Sequence, residues 1–251
     1  MRGSAILTAS MLALAAAGCS AGARESEAEQ QQARRDAGRS AQRSFPVGAF
    51  QSVSLTGSSD VNVTVGGAPS VRAEGDAEMV ERLEIAVVNG DLRIGFRDGS
   101  NFRSMFGRDR TVTVHVTVPS LAGVNLTGSG DINVDRVEGA RFAGNMSGSG
   151  DINIARLSVG EAAFNLAGSG AIHAAGTAQS TGIRLAGSGD VEAGRLQSRT
   201  LAVSLMGSGD VRAHATETAQ VSLMGPGDVT VSGPARCQID QRGPGNVRCN
   251  A

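Results

Sequence analysis

The phrase Gly-Ser-Gly-Asp, followed by Ile or Val, recurs along this chain at a nearly fixed interval, and nothing else constrains its fold as tightly. Copies begin at Gly128, Gly148, Gly187 and Gly207, and the copy at Gly168 carries Ala171 in the fourth place. Pro replaces Ser in the copies at Gly225 and Gly243, and a divergent copy stands upstream as Gly57-Ser58-Ser59-Asp60. From Gly128 to Gly243 the successive separations are 20, 20, 19, 20, 18 and 18 residues. A constant period of this size marks one supersecondary unit stacked on the next.

Aligned on this phrase, the repeats form columns. Before the glycine stand Leu126, Met146, Leu166, Leu185, Leu205 and Leu223, then Gln241; after it stand Ile132, Ile152, Ile172, Val191, Val211, Val229 and Val247. Apolar residues alternate with polar or small ones on both sides, the period-two pattern of half-buried strands. Each coil therefore places a strand on either side of a tight corner, with a less regular remainder. The fold class that follows is all-β, a single-stranded parallel β-helix (β-solenoid) of about 20 residues per coil, right-handed by the rule for parallel crossovers. At 4.8 Å per coil, seven coils make a rod roughly 34 Å long.

The corner residues have structural readings. Glycine supplies positive φ and room for stacked backbones. Pro226 and Pro244 show that the Ser position needs no N–H and accepts a φ near −65°, which argues against a serine nucleophile. Asp131, Asp151, Asp190, Asp210 and Asp228 form one column, with Asp60 in prospect as a sixth member. Turn-capping of backbone N–H groups is the first reading of that column. A calcium ladder is the alternative, opposed by the twenty-residue period, the breaks at Ala171 and Asn246, and the single carboxylate per turn.

Between Gly57 and Gly128 the pattern changes. Residues 50–55, 61–65, 70–73, 84–88, 92–96 and 111–118 read as strands, with a hairpin turn at Asn89-Gly90 and a short helix over 76–83 capped by Asp76. This section is expected to begin with an early coil and then cover one end of the solenoid, since an open end exposes sheet edges and core. Phe102, Met105 and Phe106, large apolar residues in one loop of an aromatic-poor chain, are candidates for a partner contact, with burial beneath the cap as the other reading. At the far end, Cys237 and Cys249 occupy inward columns and are expected to form a disulfide in an exported protein. A zinc pair is the weaker alternative, because His115, His173 and His214 lack ligand spacing.

Export is indicated by residues 1–18. Arg2 precedes an apolar stretch, Ala5 to Ala17, too short to span a bilayer. It ends in Ala16-Ala17-Gly18-Cys19, which resembles the lipobox of bacterial lipoproteins and implies lipidation of Cys19. Ser20 after that cysteine implies, by the same resemblance, an outer-membrane destination. Residues 19–44 then read as the lipidated cysteine and a polar tether, 45–120 as the first coil and capping subdomain, and 121–251 as the solenoid repeats. The 23 basic residues are all Arg, there is no Trp or Tyr, and the formal net charge is −1. No nucleic-acid footprint is present, and the usual aromatic anchors of binding surfaces are missing.

The repeated corner, the run Val112-Thr113-Val114-His115-Val116-Thr117-Val118-Pro119 and the hairpin at Val87 to Ile94 together resemble the bacterial auto-transporter adhesin head GIN domain, also called domain of unknown function 2807. The resemblance covers about Phe45 to Val247. It implies a right-handed parallel β-helix on an exported or lipid-anchored protein, and it carries no catalytic residues. The expectation is a non-enzymatic envelope lipoprotein without cofactor or metal. Its partners would be the membrane through the lipid anchor and an envelope protein or surface glycan. A polysaccharide-acting enzyme on a β-helix and a calcium-binding repeat module stand as alternatives.

Overall fold

The computed structural model describes residues 40–97 and 112–250. The signal segment, Cys19, and the loop with Phe102, Met105 and Phe106 lie outside the described residues. The first part of the described chain comprises β1 (Ser40–Phe45), β2 (Ser52–Gly57), β3 (Asp60–Val65), β4 (Ser70–Asp76), α1 (Ala77–Arg82), β5 (Leu83–Val88), β6 (Asp91–Phe96) and β7 (Val112–Val118). The repeats follow as β8 (Gly123–Gly128), β9 (Ile132–Val134), β10 (Val137–Gly148), β11 (Asp151–Gly168), β12 (Ala171–Gly187), β13 (Asp190–Gly207), β14 (Asp210–Met224), β15 (Asp228–Ser232), β16 (Arg236–Arg242) and β17 (Asn246–Asn250). Residues from Ala41 onward belong to one compact unit.

The repeats stack as a parallel β-solenoid. Gly57 pairs with Gly128, Gly128 with Gly148, Gly148 with Gly168, and so on through Gly187 to Gly207, always between parallel strands. The interior is a set of apolar ladders: Leu126, Leu166, Leu185, Leu205 and Leu223 on one side of the corner, Ile132, Ile152, Ile172, Val191, Val211 and Val229 on the other, all at most 2 % exposed.

Each coil has three faces rather than two strands and an irregular remainder. In β11 the buried residues run Ile152, Ile154, then Leu157, Val159, then Ala162, Phe164, Leu166. The two steps of three residues reverse the in–out parity, so the chain bends near 155–156 and again near 160–161. The strand preceding the Gly-Ser-Gly corner is face one, the segment after it face two, and the segment containing Leu157 and Val159 face three. The sequence pattern hid face three because its inward positions vary from Leu196 to Ala178 and Ser198. Ser198 is tolerated there because its hydroxyl lies 2.6 Å from that of Thr181, inside the core.

Volume is balanced between adjacent coils. Phe142 registers with Ala162, and Gly144 with Phe164. The two rings therefore sit diagonally, with centroids 6.4 Å apart and planes tilted by 59°. A Cβ at Gly144 would lie 3.1 Å from the Phe164 ring. Two phenylalanines in one column would overfill a cross-section that one phenylalanine per coil fills.

The non-repeating section begins as expected with an early coil: β2 and β3 pair in parallel with β8 and β9. On their other side β6 and β7 continue the parallel rows, and β5 and β4 then reverse direction as antiparallel partners. The β5–β6 turn places Asn89 and Gly90 at φ +54° and +78°, the conformation that suits a tight hairpin. The helix α1 is capped by Asp76, whose carboxylate accepts the N–H groups of Glu78 and Met79. Met79, Val80 and Leu83 are buried with Phe50, so this section fills the N-terminal end of the core.

Candidate functional site

The corner is a stacking device in which both glycines are needed for room, since a Cβ at Gly148 would lie 1.9 Å from the Gly128 carbonyl oxygen, and the first is needed for its backbone conformation as well. The first, as at Gly148 (φ +149°), lies in a conformation that side chains oppose. The second, as at Gly150, lacks that requirement but leaves no room: a Cβ there would lie 1.9 Å from the Gly130 carbonyl oxygen. The column of second glycines starts with Ser59, which is buried. On that side β2 meets β6 and β3 meets β7, the Phe96 ring lies against Gly57, and the chain joining β6 to β7 lies outside the described residues.

The aspartate column ties one coil to the next. Asp60, Asp131, Asp151, Asp190, Asp210 and Asp228 each accept, through Oδ1, the backbone N–H of the residue at the same place in the following coil, at 2.9–3.3 Å. Ala171 offers no carboxylate to the coil above it, and Asp190 N–H turns to the Gly170 carbonyl at 3.1 Å instead. At the top, Asn246 donates both its backbone N–H and its side-chain amide to Asp228. Burial is the largest influence on Asp131 and pushes its carboxyl up. The Asp151 N–H opposes this, and the charges of Asp151 and Asp60 add to it. Among the described residues no three His, Cys, Asp or Glu side chains converge on a metal-sized site.

The surface best shaped for contact is the outside of face one. Its outward positions carry mostly short side chains, with Arg184, Gln220 and Gln238 among them, and two shallow depressions of about 420 and 440 Å³ that meet at Arg184 and Ser204 run along it; depressions of about 500 and 550 Å³ lie on faces two and three. Along the lower half runs an amide ladder: Asn165 donates to Asn145 at 2.8 Å, Asn145 to Asn125 at 2.9 Å, and Asn125 to Ser54 at 3.0 Å. Ser54 in turn donates to Asp91 at 2.8 Å. Stacking uses one N–H and one carbonyl lone pair per amide, which leaves one of each for a ligand. Arg184 takes the next place in the column and ends the ladder. Met206 and Met224, 53 % and 49 % exposed, form an apolar margin beside it. A second ladder, Asn153 to Asn133 to Asn62, runs along face two.

Neither ladder was singled out from sequence. The signal was present, as Asn recurs at 125, 145 and 165 with the corner's own period, but outward columns carry no hydrophobic pattern to draw attention. The disulfide expected between Cys237 and Cys249 is present, and it joins β16 to β17. The described histidines do not gather: His115 contacts Glu74, and His214 contacts Ser232.

A model of the family described as "putative auto-transporter adhesin, head GIN domain" matches residues 49–235. The chain belongs to this family. No curated protein matches it. Among solved structures it is similar to a putative adhesin from Bacteroides fragilis, with a TM-score of 0.78 at 21% identity. A putative lipid binding protein from Parabacteroides distasonis gives 0.65 at 20%, and a putative adhesin from Parabacteroides merdae 0.65 at 17%. In each case the match covers 85% of this chain and 97% of the other. At these identities the solved structures establish the shared fold alone; what each of them binds belongs to that protein.

Proposed function

We propose that this GIN-domain chain is a non-enzymatic adhesion lipoprotein of the bacterial cell envelope. In this reading Cys19 carries the lipid at the outer membrane, the tether expected over 19–44 is shortened to residues 20–39 because residues 40–44 belong to strand β1, and the solenoid presents face one to an envelope protein or surface glycan. The observation that carries the reading is the periodic outer face itself. Its mostly short side chains lie on a rigid sheet, with free amide valences repeating at the coil spacing and an apolar margin at Met206 and Met224. A flat, preorganised surface suits contact with an extended partner, because little conformational freedom is lost on binding. Family membership in an adhesin class supports the same role.

The test is capture of partners from envelope extracts by the full chain, compared with Asn145→Arg and Ser204→Arg together. Both residues lie on the surface of face one; Asn145→Arg gives up two ladder hydrogen bonds, about 1 kcal/mol each, so the double variant should melt a few degrees below the wild type, stay folded, and lose the captured partner. Equal capture by both proteins would move adhesion off face one. Metabolic labelling with palmitate, abolished by Cys19→Ala, checks the anchor.

A further inference from the structure

We propose that the C-terminal end of the solenoid is a self-association surface, at which two copies of this chain pair their β16 strands antiparallel about Ile239. The register of β16 is with β14 alone. The Gly225 N–H donates to the Arg242 carbonyl, so Arg242 turns its backbone groups toward the stack. Backbone direction alternates along a strand. Cys237, Ile239 and Gln241 therefore turn their N–H and C=O groups away from the stack, along the rod axis. The same three residues occupy inward columns, and Ile239 is 48 % exposed where its register partner Val221 is 3 % exposed. Among the described residues the end thus offers an unpaired strand edge and an uncovered core column together, a combination that soluble proteins normally blunt.

The second copy is the occupant that matches on three counts. An antiparallel pair centred on Ile239 sets Ile239 against its own mate and Cys237 against Gln241. Inward positions therefore stay opposite inward positions, and all three residues fall in hydrogen-bonded pairs, with about six backbone bonds in total. Outward, the pairing sets Asp240 opposite Gln238 and diagonal to Arg236. Two-fold symmetry sets Arg236 opposite Arg242 twice and Asp240 diagonal to its own mate; the arginine pairings are softened because Asp240 already holds Arg242 of its own strand at 3.1 Å. Finally, the other end of the rod cannot serve as the mate. There β4 and β5 reverse the strand direction, and Met79, Val80 and Leu83 are buried beneath α1 and its neighbours. An open core column finds a matching open column only on a second C-terminal end, and such a contact closes as a two-fold dimer.

The experiment is sedimentation velocity over a concentration series on the full chain carrying Cys19→Ala, which removes lipid as a route to association. The expected result is a monomer–dimer equilibrium that stops at the dimer. Ile239→Lys and Ile239→Glu each place like charges at the two-fold axis and should weaken the dimer about tenfold or more. Mixing the two variants should restore it, and unchanged melting temperatures show that each variant is folded. A monomer at every soluble concentration would overturn the proposal. So would open-ended growth beyond the dimer, or a dimer indifferent to both charges.

Discussion

The corner makes its sharpest prediction in one column, where two substitutions to the same residue should have opposite outcomes. In Gly150→Ala the new Cβ would lie 1.9 Å from the Gly130 carbonyl oxygen, and the obstacle is backbone, which cannot swing aside as a side-chain tip would. Relief requires the two corners to separate by more than an ångström. That separation breaks the bonds that close the gap, Ser149 N–H to Gly128 O at 2.9 Å and Asp151 N–H to Asp131 Oδ1 at 2.9 Å. Two orphaned donors at about 1–3 kcal/mol each put the loss at about 2–6 kcal/mol. For a domain of this size the melting temperature should fall by at least about 5 °C. Ser59→Ala is the control in the same column. Ser59 already carries a Cβ at this place, and among the described residues its Oγ is buried without a hydrogen-bond partner, so its removal should leave stability unchanged or raise it by about 1 kcal/mol. Urea and thermal unfolding of the two variants beside wild type give the answer. The steric account is refuted if Gly150→Ala costs less than about 1 kcal/mol, or if Ser59→Ala costs as much as Gly150→Ala.

Three further outcomes are expected. Asp131 has its carboxyl pushed up in the folded state, so the folded protein holds that proton more tightly than the unfolded chain. Its ionisation therefore removes stability as pH rises between the two pKa values. Asp131→Asn keeps the acceptor oxygen without the charge and should gain on wild type near neutral pH, a gain that closes on acidification; urea midpoints across pH would show it. Phe164→Ala empties the space that Gly144 leaves for the ring and should cost about 3–5 kcal/mol in chemical unfolding. Reducing the Cys237–Cys249 bridge should release roughly 3 kcal/mol of constraint on a short loop. Hydrogen exchange should then rise in β16 and β17 while β11 to β13 stay protected.

Stacked repeats were legible in the sequence because every coil meets the same environment, so identical demands recur at identical spacing. Glycine at the corner, aliphatic residues on both sides of it, the hairpin at Asn89-Gly90 and the Asp76 helix cap all follow from local or nearest-neighbour physics. The carboxylate column was visible too, and so was its interruption at Ala171. What could not be read was direction. Each aspartate could have capped its own turn, and the fold instead aims it at the coil that follows. Face three escaped because its inward positions range from Leu157 and Leu196 to Ala178 and Ser198, so no column keeps one residue type.

The sequence by itself determined the unit of this protein, a strand, a glycine corner and a second strand repeated at a fixed period, because backbone sterics and side-chain alternation act within a single coil. Tertiary structure alone decided what each end of the rod and each outer face became. The N-terminal section is closed because β4, β5 and α1 fold back over the core, whereas the C-terminal coil is held by a disulfide and leaves Ile239 in solvent. The amide ladder of face one exists only because stacking brings Asn125, Asn145 and Asn165 within hydrogen-bond reach. Outward positions and rod ends answer to neighbours distant in sequence, and only the folded stack supplies those neighbours.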